Sequence, residues 1–232
     1  LPGVYQYVPS VTWILSYYPK GPQLMKWIAS QGWDEAEAIK KAAGDKGSKV
    51  HLAIAALILG SEVKMNDTFP NPSTGSHEEL TVEEWDCLCA FERWYRAVNP
   101  TVKASEIVVW NDQYNYAGTI DFVCTIDGED WIIDFKTGQG TYPEHALQIS
   151  AYKHAYSLPN AKLAILQIGY KRNKDGYKFT EVQDQFPLFL ATQQIWANET
   201  KGTTVFQKNY PLFLSLAPAL AEAEEDTTKK DD

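Results

Sequence analysis

Apolar positions recur at helical spacing through the first hundred residues and alternate as in strands through the middle of the chain. Ser10 is placed to cap a helix through Ser16. Gly21-Pro22 interrupts it, and Gln23 to Ser30 resumes with Leu24, Trp27 and Ile28 apolar. Asp34 to Ala43 and Gly47 to Leu59 read as two further helices, and residues 61–79 as a polar loop. Thr81-Val82-Glu83-Glu84 is a capping box; the helix it opens runs to about Val98, before Asn99-Pro100. Val102 to Trp110, Tyr116 to Ile126 and Asp130 to Lys136 then form an antiparallel meander, and Pro143 suits the first turn of a helix to about Ser157. Ala161 to Tyr170 and Tyr177 to Val182 read as strands and Pro187 to about Asn198 as a helix, whereas Val205 to Leu216 fits neither template. The pattern predicts an α/β chain of α+β type: an α-helical part over 1–100, a mixed-sheet core over 101–216, and an acidic disordered tail over 217–232.

The most informative segment is D-F-V-C-T-I-D-G-E-D-W-I-I-D-F-K, from Asp121 to Lys136. Asp127-Gly128 favours a two-residue hairpin loop, which sets Ile126 against Glu129. Counting outward places Asp121 opposite Asp134 and Thr119 opposite Lys136. Directly opposed carboxylates, with Cβ atoms about 5 Å apart, repel unless a cation lies between them. Lys136 then shares the face of Asp134, while Trp131, Ile133 and Phe135 point the other way as core.

Gly118-Thr119-Ile120-Asp121, Asp134-Phe135-Lys136-Thr137-Gly138 and Gln148-Ile149-Ser150-Ala151-Tyr152 follow in that order, with Gly47-Ser48-Lys49-Val50-His51 upstream. This series resembles the PD-(D/E)XK nuclease superfamily, and within it the RecB-like exonuclease group, over roughly residues 47 to 170. The family's naming proline is absent, since Ile120 precedes Asp121. The resemblance implies a restriction-endonuclease-like core with αβββαβ order and a Mg²⁺- or Mn²⁺-dependent exonuclease acting on DNA, with single strands or free ends favoured. It implies Asp121, Asp134, Lys136, Gln148 and Tyr152 as catalytic residues. His51, Asp121, Asp134 and the main-chain carbonyl of Phe135 would hold the metal. A lone histidine in an apolar helix is more often a hydrogen-bonded core residue, and only the G-x-x-x-H match gives His51 a metal role. Glu106, on the strand before Asp121, is a further candidate ligand whose register the loop from Asn111 to Asn115 leaves open. Roles in DNA repair, recombination or replication, and partners from those processes, follow from the resemblance alone.

Charge and composition narrow this picture. The net charge of −9 argues against a general nucleic-acid coat, but residues 222–232 hold six acids against two bases and so account for part of it. Lys171-Arg172-Asn173-Lys174, with Lys178, is the best basic patch for DNA contact, and a solvated turn explains it equally well. Three cysteines, Cys87, Cys89 and Cys124, cannot supply the four ligands of the iron-sulfur cluster that some RecB-like enzymes carry, so no cluster is expected. Without 18 consecutive apolar residues or a secretory pattern, an intracellular protein is expected, cytoplasmic in a phage or bacterial host or organellar. Trp110, Tyr114, Tyr116 and Tyr142 are candidates to stack on unpaired bases. A catalytically silent relative that binds DNA or a partner is the alternative, against which the intact Asp121, Asp134 and Lys136 speak. A two-carboxylate glycosidase would need neither a metal nor the lysine.

Overall fold

Asp127 and Gly128 both take left-handed backbone, with φ of 50° and 80°, as a two-residue hairpin loop requires. Ile126 accordingly faces Glu129. In the computed structural model, which describes residues 4–202 and 209–211, the elements run in the following order. β1 (Val4–Gln6), α1 (Val11–Leu15), α2 (Pro22–Gln31), α3 (Trp33–Ile58), β2 (Thr68–Pro70), β3 (His77–Glu79) and α4 (Val82–Val98) come first. β4 (Thr101–Asn111), β5 (Tyr116–Ile126), β6 (Glu129–Lys136), α5 (Pro143–Ala155), β7 (Lys162–Ile168), β8 (Tyr177–Val182), α6 (Phe186–Glu199) and β9 (Asn209–Pro211) follow. The chain divides into two units, Leu1–Val8 with Thr200–Asp232, and Pro9–Glu199. In the first, β1 pairs antiparallel with β9, Tyr5 opposite Tyr210. All other elements belong to the second. The expected tail over 217–232, and Val205 to Leu216 apart from 209–211, lie outside the described residues.

A five-stranded mixed sheet, in the order β4-β5-β6-β7-β8, organises the second unit. β6 and β7 are parallel and the other neighbours antiparallel. Parallel neighbours require a crossover, and α5 provides it. With α4 ahead of β4, this is the αβββαβ order of a restriction-endonuclease-like core, preceded by helices. Alternation sends Val123, Ile132, Leu163 and Ile165 to one side, where they pack with Val11 and Ile14 of α1, Leu147 of α5 and Phe189 of α6. Phe122, Cys124, Ile133, Phe135 and Leu166 go to the other, against Val50 and Ile54 of α3 and Leu88, Phe91 and Trp94 of α4. Each such buried side chain contributes about 1.5–3 kcal/mol, so the two cores anchor the sheet between its helices.

Two local features differ from expectation. Asp34 to Ala43 and Gly47 to Leu59 are one continuous helix, α3, of 26 residues. Gly44 and Gly47 each cost about 1 kcal/mol of helix propensity, but neither removes a backbone donor, and Ser48 Oγ also donates to the Gly44 carbonyl at 3.1 Å. The loop over 61–79 contains the short β2–β3 hairpin, with Phe69 opposite Glu78. Asn71 holds it, donating from Nδ2 to both Glu78 oxygens at 3.0 and 3.1 Å.

That hairpin is tied to α3 and α4 by a buried ion-pair network. Lys49 is 4% exposed and lies 3.1 Å from Glu84 Oε1 and 3.4 Å from Glu78 Oε2. Glu84 also completes the capping box, its Oε2 accepting the Thr81 N–H at 2.7 Å. Removing one partner of a buried pair strands the other. Glu84→Ala is therefore expected to destabilise the fold by about 3 kcal/mol or more, and Thr81→Ala by about 1 kcal/mol. Equilibrium urea unfolding checks both, and equal losses would contradict a separate contribution from Lys49.

Candidate active site

The β5–β6 ladder stops short of the aspartates. Its last pair is Phe122 with Ile133. Beyond it the hydrogen-bonded position would join Phe135 N–H to the Ile120 carbonyl. Instead Phe135 N–H donates to Asp121 Oδ2 at 2.7 Å. Thr119 and Lys136 are consequently not ladder partners, and Asp121 and Asp134 are not the flat opposed pair that alternation predicts.

A second irregularity lies one strand away. Glu106 sits inside β4 with φ of 50°, rare for a residue with a side chain. Pairing remains in register on either side, Ser105 with Phe122 and Ile107 with Ile120. The faces nevertheless change over. Ile120 packs in the core beneath α5 and Phe122 in the core beneath α4, although residues two apart on a regular strand share a side. Asp121 is thereby turned toward α3, where its Oδ1 lies 3.4 Å from His51 Nδ1. Asp134 follows Ile132 to the α5 side, and the strands part between the two carboxylates. The Asp134 face is not a solvated one, since Asp121 and Asp134 are 7% and 1% exposed.

Charge compensation holds this end of the sheet. His51 Nε2 donates to the Phe135 carbonyl at 3.2 Å, and its Nδ1 faces both Asp121 and, at 3.9 Å, Glu106. Burial by itself would push the imidazole down, but the Asp121 carboxylate outweighs it, with help from Asp134, and holds His51 up at about 9. The same contact outweighs burial at Asp121 and keeps its carboxyl below the usual range. Glu106 is pushed up to about 6, by burial first and then by the Asp121 charge. Asp134 is raised by burial and by Asp121, against the pull of Lys136. Asp134 Oδ1 is buried without a partner. Lys136 Nζ holds Oδ2 at 2.7 Å. A buried carboxylate so poorly satisfied calls for an explanation, and a cation is the simplest one.

Lys136 is itself positioned from α5. Its Nζ donates to Gln148 Oε1 at 3.3 Å, and Gln148 Nε2 donates to Tyr152 Oη at 2.9 Å. The four-residue spacing places both α5 side chains on one side of the helix. Gly118 makes room for the tyrosine, since a Cβ there would lie 2.4 Å from Tyr152 Cε1. Gly47 has no such constraint, its nearest contact being Thr137 Oγ1 at 3.8 Å. The loop after Lys136 is pinned to the end of β7. Gln167 Nε2 donates to the Gly138 carbonyl at 3.0 Å and Gln139 Nε2 to that of Gly169 at 2.7 Å. Lys171 of the basic loop donates its N–H to Gln139 Oε1 at 2.8 Å, so that loop begins beside the site.

His145 escaped the sequence reading. It lies on α5 close enough to Lys136 for that charge, added to burial, to push its imidazole down to about 4. Nothing in a lone histidine at a helix start signals this. His51, Glu106 and Asp121 offer ligand atoms all within 4.8 Å of one another, so Glu106 does join the site once the β4 register is known. An imidazole and carboxylates suit Mn²⁺ as well as the harder Mg²⁺. Among the described residues no helix is long and apolar enough to cross a membrane.

No protein-family model matches the chain, and no curated protein does. Among solved structures, that of SSO0001 is similar at 13% identity over 88% of this chain and 78% of its own, with a TM-score of 0.42. The alkaline exonuclease LHK-Exo from Laribacter hongkongensis is similar at 8% identity over 94% of each chain, with a TM-score of 0.43. Its complex with dAMP gives 9% identity over 95% of each chain and a TM-score of 0.44.

Two outcomes follow from this geometry. His51 and Glu106 bind protons more tightly folded than unfolded, as does Asp134, so stability in EDTA should fall as pH rises from about 5 to 9. The His51 share, up to about 3 kcal/mol, is fully present below pH 6.5 and lost as pH passes about 9. Melting curves of His51→Gln should be flatter over that window, and an unchanged slope would contradict the assignment. Gly118→Ala should cost about 1–3 kcal/mol through its clash with Tyr152, while Gly47→Ala should be neutral or stabilising. Denaturant midpoints distinguish the two.

Proposed function

We propose that this chain is a metal-dependent deoxyribonuclease, an exonuclease of the RecB-like group within the PD-(D/E)XK superfamily. Its substrate is DNA with single-stranded or free ends, in repair, recombination or replication. The observation that carries this reading is the buried Asp134 carboxylate, whose Oδ1 has no partner and whose Oδ2 is held by Lys136, beside the His51, Glu106 and Asp121 cluster. Asp121, Asp134, Glu106, His51 and the Phe135 carbonyl are the groups that would hold Mg²⁺ or Mn²⁺. Bound there, the ion would lower the pKa of an attacking water and offset phosphate charge.

The remaining residues bind and orient. Lys136 carries an ammonium held between Asp134 and Gln148, raised in pKa because Asp134 and Asp121 outweigh its burial. It therefore stays charged and faces the phosphate being cut as a fixed counter-charge. Gln148 holds that ammonium from α5, and Tyr152 holds Gln148. Tyr152 remains a neutral phenol, since burial pushes its pKa well up. Asp121 fixes the Phe135 backbone through its N–H, which aims the Phe135 carbonyl.

End-labelled linear DNA should be degraded with Mg²⁺ or Mn²⁺ and left intact in EDTA, and closed circular DNA should survive. Asp134→Asn and Lys136→Met should each lower the rate by at least about a thousandfold. Wild-type rates in either variant, or no cleavage by the parent protein with either metal, would overturn the reading.

A further inference from the structure

The changeover of faces at Glu106 has a second result outside the charged cluster. Past it, Ile107 and Val109 pack into the core beneath α5. Val108 and Trp110 must then project from the opposite side, and they are 65% and 61% exposed. Their cross-strand neighbours are Thr119 and Ala117, both small. On β5 the residue two beyond Thr119 is Asp121, and on β4 the residue two before Val108 is Glu106. One ribbon face therefore runs from the cluster to an open apolar strip. Alternate residues of a strand are about 6.8 Å apart, which puts Val108 and Trp110 roughly 7 and 14 Å along the strand from Glu106.

We propose that this strip is a platform on which unpaired bases of the substrate strand stack, with Trp110 as its principal ring. The proposal rests on the nuclease reading above and assigns the surface that would meet the unpaired bases of its substrate. Burial separates Trp110 from the other aromatic candidates. Tyr116 is fully buried, and Tyr114 packs edge-on against Phe186 with ring centroids 5.3 Å apart. Tyr142 is exposed but lies edge-on to His145, on the loop before α5. Trp110 alone among them is an exposed ring on a strand that carries a cluster carboxylate. A flat apolar ring fits a base, whose π face is available only outside a duplex. The strip itself is uncharged, in a chain of net charge −9, and so does not repel a phosphate backbone anchored at the neighbouring site.

The test is binding without cleavage, by fluorescence anisotropy in EDTA and in Ca²⁺. Its probes are a labelled single-stranded oligonucleotide, an abasic one of equal length, and a blunt duplex. Trp110→Ala should weaken single-strand binding by between about 5- and 150-fold, the range for loss of one stacked base. Trp110→Phe should recover much of it, and binding of the abasic strand and the duplex should not change. Mn²⁺ affinity by calorimetry and the melting temperature should match the parent, since the ring is exposed. Unchanged single-strand affinity, or an equal loss for the abasic strand, would overturn the platform while parental metal-dependent cleavage leaves the nuclease reading standing. A dimer in sedimentation that Trp110→Ala abolishes would overturn it in favour of self-association. A parent protein that neither binds nor cleaves any DNA would sink both.

Discussion

Three carboxylates, Glu106, Asp121 and Asp134, come from three neighbouring strands to the place where the β5–β6 ladder ends, and the fold must offset their charge. It does so with two cations, His51 from α3 and Lys136 from β6 itself. With the imidazole protonated at neutral pH, two positive charges face three acids, so the site stays acidic and one carboxylate stays poorly satisfied. The length of α3, the passage of α5 across the sheet and the missing side chain at Gly118 all serve to bring those partners into place. Such an arrangement is costly without an ion and apt for one.

The Asp-Gly turn and the register beside it were legible because a two-residue loop with left-handed backbone leaves few alternatives. So were the capping box of α4, the crossover helix and the order of strands. What alternation could not reveal was the left-handed backbone at Glu106. A single such residue reverses which side each later residue faces, and nothing in Ser105-Glu106-Ile107 announces it. The flat pairing of Asp121 with Asp134 was therefore an extrapolation past the point where the strands part. Glu106 joined the cluster only once coordinates fixed its register, and the buried Lys49–Glu84 pair went unnoticed because two charged residues on amphipathic helices read as solvated.

Local strain and the candidate site coincide at that position. Unusual backbone persists where surrounding structure over-determines it, and such residues gather near reactive sites. Here the pairs on either side of Glu106 lock the strand, and the turned residue sends its carboxylate to His51 while releasing Val108 and Trp110 to the surface. One conformational feature thus shapes the charged cluster and the apolar strip beside it.

The central claim is that the buried, half-satisfied Asp134 carboxylate is one side of a cation site that Asp121 completes. Anomalous diffraction from crystals soaked in Mn²⁺ tests it most directly. The account predicts a peak ligated by both aspartates, with Lys136 displaced from Asp134 Oδ2. A peak held by His51, Glu106 and Asp121 alone, with Asp134 still paired to Lys136, would contradict it.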